Sequence, residues 1–396
     1  MSQATDPIVI TGIARTPMGG LMGMLTGFTA NQLGALAIKA AVERSGVAPA
    51  DVQEVIMGCV LPAGQGQAPA RQASRGAGLP DSVVCSTVNK VCGSGMKTIM
   101  MAADAIAAGN ADVVVAGGME SMSNAPYLLG KARGGYRFGH GEILDHMALD
   151  GLEDAYEKRT PMGAFAERTA EKYGFTREAQ DAYAIESLAR AKRANEDGSF
   201  DFEIVPVEVT GKKGTEKIAR DEQPFKAMPE KIPTLKPAFK KDGTITAANA
   251  SSISDGAAAT VLMRQSEAAK RGIKPIAKIV AQAGAARLPA EFTIAPVPAI
   301  ASVLKKAGWS VADVDLWEIN EAFAIVTMAA MQEHKLPHDK VNVNGGACAL
   351  GHPIGASGTR IVTTLIGALK QRGLKRGVAT LCIGGGEATA LAIEML

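Results

Sequence analysis

The sequence predicts an α/β protein built as two related halves packed about a pseudo-twofold, with an insertion between them. Three observations carry this. Strand and helix patterns alternate over both ends of the chain, the pattern of layered α/β folds with largely parallel sheets. Segments near the start recur near the end at a nearly constant offset. Between them lies a more polar stretch that holds most of the charge clusters. The units expected are 1–120 joined by 249–270, an insert at 121–248, and a second half at 271–396.

The chain has 396 residues, more than one ordinary domain of about 100–200 residues. It is 47% hydrophobic, enough for several cores, and its formal charge is only +2. Its longest basic runs are pairs such as Lys212-Lys213 and Lys240-Lys241, so a nucleic-acid partner is not expected. No run of about 18 apolar residues exists, so no membrane span is expected. The start, MSQATDPIVITGIARTP, reads as a short tail and a strand rather than a secretion signal. The cysteines Cys59, Cys85, Cys92, Cys348 and Cys382 are odd in number and lack zinc-site spacing. They read as free thiols in a reducing compartment, the cytoplasm, with no metal site.

In the first half, AIKAAVERSGVAPADVQEVIMG (37–58) reads as a helix closed by Gly46, a turn and a strand. It matches AIASVLKKAGWSVADVDLWEIN (299–320) at an offset of 262: Gly46 with Gly308, Asp51 with Asp313. Next, Ser94-Gly95-Met96-Lys97 matches Ser357-Gly358-Thr359-Arg360. Each pair opens a helix closed by a glycine, Gly109 or Gly373, and each helix leads to a glycine-ended strand, VVVAGG or ATLCIGGG. In the insert, FTREAQDAYAIESLARAKRAN reads as an amphipathic helix that starts at Thr176. The stretch 221–243 reads as loop. ITAANASSISDGAAATVLM then rejoins the first half, with a turn at Ser251, Ser252, Ser254, Asp255 and Gly256.

Four places can carry chemistry. Cys92, in VNKVCGSGMKTIM, sits where a helix starts, so the helix dipole is expected to depress its pKa and make it a nucleophile. A packed thiol would fit the same turn. His352, in NGGACALGHPIGASG, lies on the loop that the repeat pairs with the Cys92 loop, so the two can meet as nucleophile and base. Cys382 ends a strand ahead of Gly384-Gly385-Gly386, whose N–H groups can form an anion nest. Asn320 and Glu321, in EINEAFA, stand at a strand end where they can hold a water or cap a helix.

VCGSGMK, GGMES, NEAFA, GGACALGHPIGASGTR and LCIGGGEA together resemble the signatures of the thiolase family, in order and spacing, over nearly the whole chain. The group it is most similar to makes acetoacetyl-CoA from two acetyl-CoA, or cleaves it. The resemblance implies a thiolase-like layered α-β-α-β-α fold with an inserted loop domain. It implies Cys92 as acyl carrier, His352 as its base, Cys382 as base for the second acetyl-CoA, and Asn320 as holder of an oxyanion water. The N–H groups of Cys92 and Gly384 would form a second oxyanion site. A condensation of this kind needs both thiols, since the acylated one cannot also remove a proton.

The resemblance also implies coenzyme A thioesters as substrates, with no tightly bound cofactor. Ser251 would contact the pantetheine, with Met162, Phe239, Phe292, Ala322, Phe323 and Leu152 along its channel. ARGGYRFGHGEILDHMALDGLEDAY resembles the loop that ties short-chain members into homotetramers (dimers of dimers). Four positions depart from the pattern. Pro161 stands where short-chain members have histidine, as in thiolases of broader 3-ketoacyl range in fatty-acid β-oxidation. Leu188 replaces the tyrosine of potassium-activated members, Phe225 replaces an arginine for the nucleotide end of coenzyme A, and Cys348 replaces an aliphatic residue.

Overall fold

The computed structural model describes residues 6–211 and 214–396; most of the tail, 1–5, and the pair Lys212-Lys213 lie outside it. In chain order the first half gives β1 (Ile8–Arg15), α1 (Ala30–Ser45), β2 (Glu54–Gly58), α2 (Pro69–Gly76), β3 (Val84–Val88), α3 (Ser94–Ala107) and β4 (Val113–Ser121). The insert carries α4 (Met162–Tyr173) and α5 (Arg177–Glu196). Then follow β5 (Ser254–Arg264), β6 (Ala277–Ala286), α6 (Pro296–Ala307), β7 (Leu316–Ile319), α7 (Ala324–His334), α8 (Ile354–Arg372), β8 (Arg376–Ile383) and β9 (Glu387–Met395).

Among the described residues, ten strands join in one sheet of order β7-β8-β9-β6-β1-β5-β4-β2-β3, with the short strand Gly19–Gly20 on β5. The order is duplicated. Outward from the β1–β6 junction run β1-β5-β4-β2-β3 on one side and β6-β9-β8-β7 on the other, where Trp317 makes a further parallel bridge to Val341. The repeat seen in the sequence is therefore a repeat of elements. Gly46 and Gly308 both close their helices in the left-handed region, at φ 75° and 69°. A short 3-10 turn follows each, Pro49–Asp51 and Val311–Asp313, and then β2 or β7.

The sheet is mixed, which corrects the expectation of largely parallel strands. Only β2–β3, β2–β4 and β7–β8 run parallel. The chain reverses in a tight turn between β8 and β9, and β5 returns from the insert antiparallel to both β1 and β4. A second expectation also shifts: Ser254, Asp255 and Gly256 belong to β5 itself, so the turn lies before them.

Strand periodicity explains the layers. Along β4, Val113, Val115 and Met119 face a core shared with α1 and α2, while Val114 and Ala116 face one shared with α3 and α8. Along β9, Leu391 and Ile393 join that same central core, while Ala388, Ala390 and Ala392 turn to α6. The helices α3 and α8 thus lie between the two halves of the sheet, and outer helices cover the far faces. Their crossing depends on two glycines. A Cβ on Gly95 would stand 2.8 Å from the backbone N of Thr359, and one on Gly358 would stand 2.2 Å from that of Met96. The matched Ser-Gly pairs of the repeat are where the halves touch, and this contact brings the Cys92 and His352 loops together.

Candidate active site

Cys92 lies two residues before α3, whose cap is Gly93. Its loop is held in a costly shape. Val91 has φ 45°, unusual for a β-branched residue. The side-chain oxygen of Asn89 accepts from Val91 N at 2.9 Å, and Ser94 Oγ donates to Val91 O at 2.6 Å. The Lys90 ammonium pairs with Glu387 across the halves. Such strain persists where surroundings over-determine it, and here it fixes where the sulfur points.

The backbone N–H groups of Gly384 and of Cys92 itself lie near the Cys92 sulfur and favour its anion. Gly385 and Gly386, at φ 91° and 93°, turn the chain back after β8 and so bring Gly384 to the thiol. The expected low thiol pKa is not found. Burial pushes the Cys92 thiol up to about 11, and the two N–H donors offset only part of that. At rest Cys92 is a thiol.

His352 is buried beside it, and its pKa is pushed down to about 3 by burial and by the Arg360 charge. Its ring is held at both nitrogens: Nδ1 lies 2.6 Å from Ser357 Oγ, and Asn320 Nδ2 lies 3.5 Å from Nε2. The backbone N–H of His352 donates to Ser252 O at 3.1 Å. Asn320 does not cap a helix, because α7 starts only at Ala324 after Phe323. Its side chain instead lies between His352 and Arg360.

Cys92, His352 and Gly384 line one cavity of about 450 Å³. The sequence-expected residues Leu152, Met162, Phe239, Ser251, Phe292, Ala322 and Phe323 line it too, as does Pro161. Asn320 and Cys382 do not reach its surface. Both are fully buried, with Cys382 packed in a cluster with Phe292, Ala322, Phe323 and Met162. Burial and the nearby Cys92 push the Cys382 thiol well above its ordinary range. A half-buried thiol and a neutral imidazole therefore meet at an apolar pocket, with a second, fully buried thiol packed behind its wall, a set suited to acyl transfer onto sulfur.

The chain matches the family model "Thiolase, N-terminal domain" over residues 8–266 and "Thiolase, C-terminal domain" over 273–395. It belongs to the thiolase family. Acetyl-CoA acetyltransferase 2 of Arabidopsis thaliana is 52% identical to it, over 100% of this chain and 99% of the relative. A cytosolic acetyl-CoA acetyltransferase of Gibberella zeae is 48% identical, over 98% of each chain. Among solved structures, Acat5 thiolase of Ascaris suum in complex with coenzyme A superposes with a TM-score of 0.93 at 46% identity, covering 98% of this chain and 100% of that one. The acetyl-CoA acetyltransferase of Bacillus anthracis gives 0.96 at 44%, with full coverage of both.

Two buried glutamates also hold the site together: Glu120, which sequence reasoning passed over, and Glu321, expected to hold a water or cap a helix but bonded instead to other elements. Glu120 accepts from the N–H groups of Val60, Leu61 and Gly355, tying the start of α8 to the first half. Burial raises its carboxyl to about 7. Glu321, beside Asn320, accepts from Tyr183, Ser187, Asn342 and the N–H of Cys348. Cys348 is thus held in a packed loop. The glutamates in GGMES and NEAFA were visible as motif members, but nothing local showed which N–H groups they would meet.

Proposed function

We propose that the chain is an acetyl-CoA C-acetyltransferase that condenses two acetyl-CoA to acetoacetyl-CoA and CoA, and cleaves acetoacetyl-CoA in reverse. The observation that carries this is the convergence of the Cys92 and Gly384 N–H groups on Cys92 Sγ, in a cavity shared with His352 and backed by Cys382. The thiol of Cys92 attacks the thioester carbonyl as His352 takes its proton, and collapse of the adduct breaks the bond to coenzyme A, whose sulfur leaves with the proton of Cys382. A neutral imidazole and a thiol exchange one proton only as charge develops on the acyl oxygen, so their shifted pKa values suit a concerted transfer. The N–H groups then face the oxygen of the acyl-Cys92 thioester.

A second acetyl-CoA follows into the same cavity. The Cys382 thiolate so formed removes its α-proton, while His352, protonated on Nε2, and a water on Asn320 hold the enolate oxygen. Carbon attack on acyl-Cys92 releases acetoacetyl-CoA, and the freed Cys92 sulfur takes its proton back from His352. Ser251 and the apolar residues Met162, Leu152, Phe239, Phe292, Ala322 and Phe323 would hold the pantetheine arm. We place the enzyme in the cytoplasm, consistent with five free cysteines. Among the described residues no helix is long and apolar enough to cross a membrane. A homotetramer is supported by the exposed Tyr127, Leu129, Phe138, Ile143 and Tyr156 in the insert.

A second reading, a 3-ketoacyl-CoA thiolase of broader chain length, is favoured by one feature: Pro161 borders the cavity. The test has two parts. Intact-mass measurement with acetyl-CoA should show one acetyl group on Cys92, and its absence would remove the catalytic reading. Kinetics with acetoacetyl-CoA against a longer 3-ketoacyl-CoA then separate the two readings, and equal turnover would favour the broader one.

A further inference from the structure

The imidazole of His352, neutral at rest, carries one ring proton on either nitrogen. The hydrogen-bond partners around it agree on one placement. Arg360 can only donate, and its Nη2 lies 3.3 Å from Asn320 Oδ1. The amide oxygen of Asn320 therefore faces Arg360, and its NH2 faces His352. That NH2 donates to Nε2 at 3.5 Å, so Nε2 must be the bare nitrogen. At the other side, Ser357 Oγ donates its single proton to Pro353 O at 3.0 Å. Nδ1, at 2.6 Å from the same Oγ, must then be the donor. Two chains of reasoning that share no atom outside the ring give the same tautomer.

We propose that Ser357 and Arg360, neighbours one turn apart on α8, are positioning residues that lock His352 with its proton on Nδ1 and Nε2 free to take the Cys92 proton. The purpose assigned to Nε2 rests on the reading of His352 as base; the lock itself does not. Arg360 is held by Glu318, whose Oε2 accepts from Nη1 at 3.4 Å. All three groups are fully buried, so water cannot substitute for either end of the chain. The internal repeat strengthens the assignment. Ser357 corresponds to Ser94, and each serine bonds the loop that carries its half's reactive side chain: Ser94 the carbonyl of Val91, Ser357 the ring of His352.

The direct test is neutron diffraction on crystals of the wild-type protein exchanged into D2O. Deuterium on Nδ1 and none on Nε2 is expected; deuterium on Nε2 overturns the proposal. The variant test is Ser357→Ala. Pro353 O still accepts from the backbone N–H groups of residues 356 and 357, so the helix start keeps its bonds. Turnover is expected to fall about 10- to 100-fold, the usual effect of losing such a supporting bond, with KM for acetyl-CoA and the melting temperature nearly unchanged. Turnover within threefold of wild type overturns the lock. Should the variant fail to fold, the neutron map alone decides. A separate measurement keeps the two readings apart. Acylation of Cys92 at the wild-type rate in His352→Ala would reject the base, while deuterium on Nδ1 in the wild type would still uphold the lock.

Discussion

Alanine at position 93 would place one carbon between the two thiol loops. The backbone of Gly93 has φ −83°, which suits alanine, so any effect comes from contact and not from strain. The added Cβ would stand 2.3 Å from Ile383 Cδ1 and 2.9 Å from Cγ1, whereas ordinary contact begins near 3.4 Å. The difference, 3.4 − 2.3 ≈ 1.1 Å, must be absorbed by Ile383 or by the Cys92 loop. Ile383 is buried and sits between Cys382 and Gly384, so its movement also displaces the N–H aimed at the sulfur. Loss of one such donor, or misplacement by about 1 Å, costs on the order of 100-fold in rate, about 2.7 kcal/mol in the barrier. The folding cost should be smaller, about 1–3 kcal/mol for overpacking. The assay is rapid-quench acylation by acetyl-CoA, read by intact mass, for Gly93→Ala alone and with Ile383→Ala. The double variant removes both offending carbons and should recover part of the lost rate. Wild-type acylation by Gly93→Ala, or a double variant no faster than the single one, would refute the contact argument.

Three further outcomes are expected. Alkylation of Cys92 by iodoacetamide should rise about tenfold per pH unit from neutrality toward the thiol pKa of about 11. His352 stays uncharged over that range, its pKa lying near 3, and a plateau at neutral pH would reveal an ion pair instead. Gly118→Ala should destabilise the fold by at least about 3 kcal/mol in urea unfolding, because its Cβ would meet the Gly355 carbonyl oxygen at 2.0 Å; a loss under about 1 kcal/mol would show that strand and helix can part cheaply. Asn320→Ala should slow condensation about 10- to 100-fold while the protein stays folded, measured by acetoacetyl-CoA formation; an unchanged rate would remove Asn320 from the site.

Much of the fold was readable because the repeat is a repeat of capping and turn chemistry. Gly46 and Gly308 mark helix ends in any context, and the Ser-Gly pairs at 94–95 and 357–358 proved to be the contact between halves. The strand directions were not readable in the same way. β5 returns from a distant insert, and alternation of strand and helix does not say which way such a strand runs. At the site, Cys92, His352 and Gly384 were found by motif and symmetry. The state of Cys92 was not, because the helix dipole was visible in the sequence and the opposing burial was not. Arg360 and Ser357 were seen only as members of the repeat. Their partners Asn320 and His352 come from other elements, and only the crossing of α3 and α8 sets those distances.

In the proposed reaction two thiols divide the work, Cys92 at the cavity surface carrying the acyl group and Cys382, packed behind its wall, moving the α-proton. Cys382→Ser incubated with acetyl-CoA in D2O tests both halves in one sample. Mass spectrometry should find the acetyl group on Cys92, while deuterium entry into the methyl group of acetyl-CoA falls about 10²- to 10⁴-fold. Deuterium entry at the wild-type rate would contradict the division.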